Sequence, residues 1–284
     1  MKNFCIITNI HKDNNNELAN HVKELLEVQN CFCQMLDSVD NATKEYKVID
    51  INEVDERVEC VIAVGGDGTL LRVSNNLKAL DVVFVGINLG RLGFLAEIST
   101  EDIEHSVKRL VEDDFNVESR MMLSARLIRD GKELINANVL NDIVLHRGAE
   151  ISISNYDVYV NDNFLGTYNA DGLIIATPTG STAYNMSAGG PFARPDSHVI
   201  ILTPICSHAL GSRSIIFSKN DHIEVRIAED RKNDKQSRGL SLDGGKRYEM
   251  QSGDIVKIEM ADETTKILKF GDESFLQTIR EKIK

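Results

Sequence analysis

The sequence predicts an open α/β domain followed by an all-β domain, and three observations carry that reading. Residues 1–115 alternate short apolar runs with stretches of helical periodicity. From about Ser119 the apolar runs become short, β-rich and punctuated by turn residues. The length of 284 residues is too great for one ordinary core and suits one large domain or two smaller ones.

The elements follow in order. Residues 4–8 form a short apolar run that turns polar at Asn9, an opening strand rather than a leader peptide. Over 16–28, Leu18, Val22, Leu25 and Leu26 recur at helical spacing. Residues 58–64 are almost continuously apolar, as a parallel strand buried on both faces would be. A helix over 69–80, a second buried strand over 82–87 and a helix over 102–111 complete the alternation. In the second part, strands are expected over 121–128, 136–144, 151–160, 173–177, 199–203, 214–217, 223–227 and 255–260. Residues 160–164 and Asp243-Gly244-Gly245 read as hairpin turns. The mixed-charge run 229–238 reads as a solvated loop. The end of the chain, 274–283, reads as a helix with Phe275, Ile279 and Ile283 on one face. A lone helix after a β domain needs a partner, so it is expected to return to the first domain. The expected division is therefore a Rossmann-like open α/β domain over 1–115 plus about 263–284, and a sandwich-like β domain over 116–262.

Composition narrows the function. Asp and Glu number 44 against 32 Lys and Arg, a net charge of −12, which argues against non-specific nucleic-acid binding and against an anionic membrane surface. The apolar runs, such as Val199-Ile200-Ile201-Leu202, fall far short of the roughly 18 residues a membrane span needs. Cys5, Cys31, Cys33, Cys60 and Cys206 show no zinc spacing and read as reduced thiols of a cytoplasmic protein. No histidine has a partner at ligand spacing, and no Gly-x-Ser-x-Gly elbow occurs. An enzyme acting on a small molecule, including an anionic one, stays open.

The strongest motif is Gly65-Gly66-Asp67-Gly68-Thr69, between an expected buried strand and an expected helix. Ligands of open α/β sheets bind at the carboxyl ends of strands. Glycines let the backbone approach a ligand closely, and the N–H groups of a following helix start suit phosphate. Asp67 could take a proton from a hydroxyl nucleophile or hold a metal. A carboxylate beside a helix start is a weak base, which phosphoryl transfer tolerates because positioning and charge stabilisation dominate there. The plainer reading is a strand-to-helix turn with Asp67 as a cap. Neither Gly-x4-Gly-Lys-Ser/Thr nor Gly-x-Gly-x-x-Gly occurs, and Gly90 to Phe94 is a glycine-rich turn after a strand.

Two further signals lie in the β-rich part. Asn141-Asp142 sets an amide beside a carboxylate, a donor and acceptor pair fit to grip a ribose or a base edge; a bulge or turn is the alternative. Asn169-Ala170-Asp171-Gly172 leads through a strand into residues 178–191, a stretch of small and hydroxylated residues around Tyr184 and Met186. Its poverty in charge is unlike an ordinary surface loop.

In this order and spacing the motifs resemble those of the NAD kinase family, of bacterial type. Gly-Gly-Asp-Gly-Thr alone is shared with phosphofructokinases and lipid kinases; Asn141-Asp142 and the 171–190 block select the NAD kinases. The resemblance implies transfer of a phosphoryl group from ATP, or from polyphosphate, to the 2′-hydroxyl of the adenosine ribose of NAD, giving NADP. It implies a divalent metal, magnesium being usual. By motif match Asp67 is the base, and Gly68, Phe94 and Arg72 face NAD. Gly65, Gly66, Gly68, Thr69 and Arg72 face phosphate. Asn141 and Asp142 hold adenine or ribose. Thr182, Ala183, Tyr184 and Ser187 line the rest of the dinucleotide pocket, while Asn169 and Asp171 lie toward the nicotinamide. A homodimer or homotetramer with shared sites also follows by resemblance. Two departures stand out: Asn169 replaces a basic residue, which bears on the choice between NAD and NADH, and Gly245 replaces a polar one, leaving Lys246 or Arg247 to supply a contact. The rival readings are a lipid kinase of the Gly-Gly-Asp-Gly-Thr group and a non-catalytic dinucleotide-binding sensor.

Overall fold

The structure is a computed structural model that describes residues 1–40, 43, 45–90, 93–148, 154–208, 212–228, 237–271 and 274–282. The chain divides into two compact units, Met1–Ser119 with Thr265–Lys284, and Arg120–Thr264. Both divisions fall within long strands.

The first unit is built from β1 (Asn3–Thr8), α1 (Glu17–Val28), β2 (Phe32–Asp37), β3 (Cys60–Gly65), α2 (Asp67–Leu77), β4 (Val83–Asn88), the short β5 (Ile98–Ser99) and α3 (Ile103–Val111). Its strands run parallel in the order β2-β1-β3-β4, with β5 beside β4. β3 is buried along its whole length, as its continuous apolar run requires. β2 is half-buried at the edge, which is why no apolar run announces it. α1 buries Ala19, Val22 and Leu26, and α3 buries Ile103, Val107 and Leu110, against one core that also holds Phe4, Ile6, Ile62, Val85 and Ile87. The buried Asp13 carboxylate caps α1, accepting N–H bonds from Leu18 at 3.0 Å and Ala19 at 2.9 Å.

The second unit continues through β6 (Asn116–Arg129), β7 (Lys132–Val139), β8 (Asp142–Arg147), β9 (Ser154–Val160), β10 (Asn163–Ala170) and β11 (Gly172–Ala176). It goes on through α4 (Tyr184–Ser187), β12 (Val199–Ile205), β13 (Ile215–Ser218), β14 (Ile223–Ile227), β15 (Arg238–Leu242), β16 (Lys246–Met250) and β17 (Ile255–Lys269). One sheet runs β10-β9-β14-β17, with β6 beside β17 and β7 beside β6. The other is antiparallel in the order β13-β12-β11-β8-β15-β16. Alternate residues of both sheets, among them Leu123, Ile143, Leu145, Val158, Ile175, Leu202, Leu240 and Val256, meet in one core. Val144 points to the opposite face of its sheet, where Ile174, Ala176 and Ile201 are covered by Ala188 and Ala193. The small-residue stretch is thereby laid over the outside of that sheet.

The last residues of β17 belong to the first unit, where Ile267 pairs in parallel with Phe84 of β4. The buried Lys269 there donates to Glu97 at 2.8 Å, and the other oxygen of Glu97 accepts the Phe270 N–H at 3.0 Å. α5 (Ser274–Lys282) also belongs to the first unit, with the Phe275 ring 6.3 Å from that of Phe94.

The structure corrects several element expectations. The strand expected over 136–144 breaks at Leu140-Asn141 into β7 and β8. α2 begins at Asp67 rather than Thr69. β17 extends nine residues past the expected 260, its last five, Thr265–Lys269, belonging to the first unit. β10 was not expected; most of its residues are exposed, so it carries no apolar run. Of the expected strand over 151–160, residues 151–153 lie outside those described, as do 229–236 of the expected loop, Arg91 and Leu92 of the glycine-rich turn, and Ile283. Arg238, taken as the loop's end, is buried in β15. The five cysteines are free, and burial pushes the Cys5 thiol up to about 12 and that of Cys33 up to about 11, as expected of packing rather than reactive thiols.

Candidate functional site

In the first unit the site forms where β3 delivers its carboxyl end into α2. Gly66 has φ +145° and ψ −179°, a backbone state that a side chain rarely adopts, and it allows the chain to turn from strand to helix within one residue. No N-cap side chain bonds to the start of α2, whose Thr69 and Leu70 N–H groups both donate to the Gly66 carbonyl, at 2.9 and 3.1 Å. Thr69 is buried, and its hydroxyl accepts a bond from the Asn9 amide at 3.1 Å, tying the turn to the end of β1. Arg72 is half-buried, its guanidinium 3.6 Å above the Tyr46 ring.

Asp67 is partly exposed. Its carboxylate accepts the Phe94 N–H at 2.8 Å on one oxygen and the Ala96 N–H at 2.9 Å on the other. Gly93 is the residue that permits this. A Cβ there would lie 1.9 Å from the Asp67 Oδ1. The turn and the segment 93–96 are thus one assembly, and Phe94 is held at the turn by its own backbone.

The second unit carries a cavity of about 630 Å³ lined by Asn141, Asp142, Val144, His146, Ala183, Tyr184, Ser241, Asp243, Gly244 and Arg247. It gathers both residues of the Asn141-Asp142 pair with Ala183 and Tyr184 of the small-residue stretch. Thr182, Ser187, Asn169 and Asp171 are not among its lining residues. Val144, His146, Ser241, Asp243 and Gly244 join it without having been singled out as binding residues. Val144, His146 and Ser241 lie on β8 and β15, which are neighbours in the sheet, and only that pairing reveals them.

Every backbone group of the bend between β7 and β8 has a partner. The Asp243 carboxylate accepts the N–H groups of Leu140, Asn141 and Asp142 at 2.8, 2.7 and 3.0 Å. The Thr177 hydroxyl donates to the Leu140 carbonyl at 2.6 Å, and the Thr177 N–H to the Asn141 carbonyl at 2.9 Å. The Asp243 N–H donates to the Asp142 carbonyl at 3.0 Å. Asp142 itself is buried. Burial first, and then the negative charge of Asp243, push its carboxyl up to about 7, against a lowering by the Tyr184 N–H it accepts.

The small-residue stretch is ordered around Asn185, which is fully buried. Its amide donates to the carbonyls of Ser181 and Pro191, each at 3.1 Å, and its oxygen accepts the Thr203 hydroxyl at 2.7 Å. Tyr184, next in sequence, is 46% exposed, so its ring is free to meet a planar ligand at the cavity. Thr182 spends its hydroxyl on the Thr179 carbonyl at 3.1 Å. Asp171 pairs with Arg147 at 2.8 Å, and Asn169 is exposed on β10.

The ATP-NAD kinase N-terminal domain model matches residues 4–115, and the ATP-NAD kinase C-terminal domain model matches residues 140–270. The chain is 37% identical to the NAD kinase of Lachnoclostridium phytofermentans, covering 99% of each. It is 38% identical to that of Caldanaerobacter subterraneus subsp. tengcongensis and 39% identical to that of Thermoanaerobacter pseudethanolicus, covering 100% of this chain and 99% of the relative in both cases. Yeast NADH kinase, solved with NADH, shares the fold at a TM-score of 0.84 and 23% identity, over 100% of this chain and 87% of the other. An NAD kinase from Archaeoglobus fulgidus, solved with ATP, shares it at a TM-score of 0.78 and 24% identity, over 98% of each.

Proposed function

The chain belongs to the NAD kinase family and is a kinase that phosphorylates NAD; from that premise we propose how its own residues divide the work. The observation that carries the proposal is the Gly65–Thr69 turn, with its uncapped helix start and its anchored carboxylate. ATP is the phosphoryl donor, its phosphates meeting the turn at Gly66, Gly68 and Thr69, with Gly65 setting the turn and Arg72 near. Asp67 orients the 2′-hydroxyl of the adenosine ribose and takes its proton. A carboxylate held by two N–H bonds cannot rotate, and fixed geometry is what phosphoryl transfer asks of such a residue.

NAD is held by the cavity of the second unit. Asn141 and Asp142 grip the ribose or adenine, Tyr184 stacks on a ring, and Ala183 gives close backbone approach. Gly68, Phe94, Arg72, Thr182 and Ser187 complete the binding set, and Asn169 and Asp171 serve the nicotinamide end. Arg247, on the cavity wall, is the cation suited to the contact that Gly245 does not make.

Among the described residues no group of three or more His, Cys, Asp and Glu could hold a metal ion. We propose a magnesium ion that arrives on the nucleotide phosphates and keeps its own waters, with Asp67 the acidic side chain at the turn to face it. Bound so, the ion would neutralise charge on the transferred group. No described helix is long and apolar enough to cross a membrane. We place the enzyme in the cytoplasm as a homodimer or homotetramer. The lipid-kinase and sensor readings have no support from the family matches.

One assay tests the proposal: NADP formation from NAD with ATP, GTP or polyphosphate, with and without EDTA. Turnover with ATP that EDTA abolishes is expected. Turnover with polyphosphate alone would remove ATP as donor, and turnover indifferent to EDTA would remove the metal.

A further inference from the structure

Asp243 sits in the turn between β15 and β16 and has three backbone N–H donors on one carboxylate. Side chains rarely satisfy three successive amides. Here those amides belong to the bend that carries Asn141 and Asp142, and Asp243 also lines the cavity into which the bend opens. The hairpin loop is Asp243-Gly244-Gly245, closed by the Gly245 N–H on the Leu242 carbonyl at 3.0 Å, with Asp243 at φ +50° and Gly244 at φ +64°, both left-handed. Asn and Asp both tolerate that backbone state, so the turn itself does not demand a carboxylate. The carboxylate is spent instead on the three amides of the neighbouring bend.

We infer that Asp243 is a positioning residue for NAD: its carboxylate fixes the Leu140–Asp142 bend at the cavity wall. Its charge, second to burial, also favours the protonated form of Asp142. The inference rests on the reading of this cavity as the NAD site.

Two lines of geometry support it. The bend has no regular ladder to hold it, since β7 ends at Val139 and β8 starts at Asp142. Its N–H groups therefore depend on the Asp243 carboxylate, the Leu140 and Asn141 carbonyls on Thr177, and the Asp142 carbonyl on the Asp243 N–H. The second line is the surroundings of Asp142. Asp243 comes from the β15–β16 turn, His146 from β8 itself, Arg247 from β16 and the Tyr184 phenol from α4, all lining the same cavity. From β11, paired directly with β8, come only Ala176 and, just beyond it, Thr177. Asp243 is the acid in that set, and its charge adds to burial in holding a proton on Asp142 near neutral pH. A protonated Asp142 donates a hydrogen bond where an ionised one can only accept.

Asp243→Asn tests this with Asn141→Ala beside it. The asparagine keeps the turn and one acceptor oxygen but turns an amide donor toward one of the three N–H groups and removes the charge. The expected result is a KM for NAD raised about tenfold with kcat within about threefold. The limb of the kcat/KM profile that lies near neutral pH should also move to lower pH, because Asp142 ionises more readily without the neighbouring charge. An Asp243→Asn enzyme with unchanged KM for NAD, or with an unmoved limb, overturns the inference. Asn141→Ala should raise the KM for NAD. If it does not, the cavity is not the NAD site and the inference falls with that reading; if it does while Asp243→Asn changes nothing, the inference alone falls. Should Asp243→Asn fail to fold, Asp142→Asn carries the test. The limb must then vanish, and its persistence overturns the role given to Asp243.

Discussion

The Asp67 carboxylate rests on the bare α-carbon of Gly93, so that a methyl group there would come within 1.9 Å of Oδ1. The contact joins the glycine-rich turn to a second one 26 residues further along the chain. Gly93→Ala should therefore displace Asp67 or the segment 93–96. A loss of about 1–3 kcal/mol in urea unfolding is expected, with a fall in turnover larger than the stability loss alone would cause. Wild-type turnover in a folded Gly93→Ala enzyme would show that the contact does not hold the carboxylate in its working position.

Asp67→Asn should lower kcat by about 10²–10⁴-fold while NAD binding stays within about tenfold. The substitution also costs one of the two N–H bonds to Phe94 and Ala96, so a modest drop in melting temperature should accompany it. Isothermal titration with NAD and steady-state kinetics read the two effects separately. Undiminished turnover would remove Asp67 from the chemistry.

Asp142 makes a prediction for stability against pH. Its folded pKa, about 7, lies above that of a free carboxyl, so the folded state holds the proton more tightly than the unfolded chain does. The stability contributed by this group is fully present below the unfolded pKa and is lost as pH rises toward 7. Asp142→Asn has no proton to lose. The variant should gain melting temperature relative to the wild type at pH 8 and show little gain at pH 4. An advantage that is the same at both values would contradict the raised pKa.

Lys269 and Glu97 form a buried ion pair, with side chains only 5% and 8% exposed. Lys269→Met should cost about 3–5 kcal/mol, because Glu97 is left charged without its partner. Adding Glu97→Gln should recover much of the loss. Urea unfolding of the two variants decides it, and an equal deficit in both would mean that the strand end, not the charge, was damaged.

Asn169 stands exposed on β10, and the carboxylate of nearby Asp171 is already paired with Arg147. If Asn169 belongs to the nicotinamide end, Asn169→Arg should change the ratio of activity on NAD to that on NADH. A ratio equal to that of the wild type takes the position out of the site.

Much of the fold was legible because it is written in local periodicity. The continuous apolar run before Gly65 had to be a strand buried on both faces, and Leu18, Val22 and Leu26 had to share a helix face. The edge strand β2 and the exposed β10 were not legible, since a strand that buries little leaves no apolar trace. The Gly65–Thr69 turn and the Asn141-Asp142 pair could be picked out because adjacent residues carry them. His146 and Ser241 could not, because they meet only through the pairing of β8 with β15.

The sequence by itself determined the two textures of the chain, the glycine turn with its one acid and the family to which these motifs point. Folding decided what each acid does. Asp67 bonds to Phe94 and Ala96, 27 and 29 residues away, and Asp243 holds amides 101 to 103 residues away. Periodicity and local propensity act over a few residues, whereas such bonds depend on which strands become neighbours and in what register. That choice is made by burying the whole core at once, and no short stretch of sequence contains it.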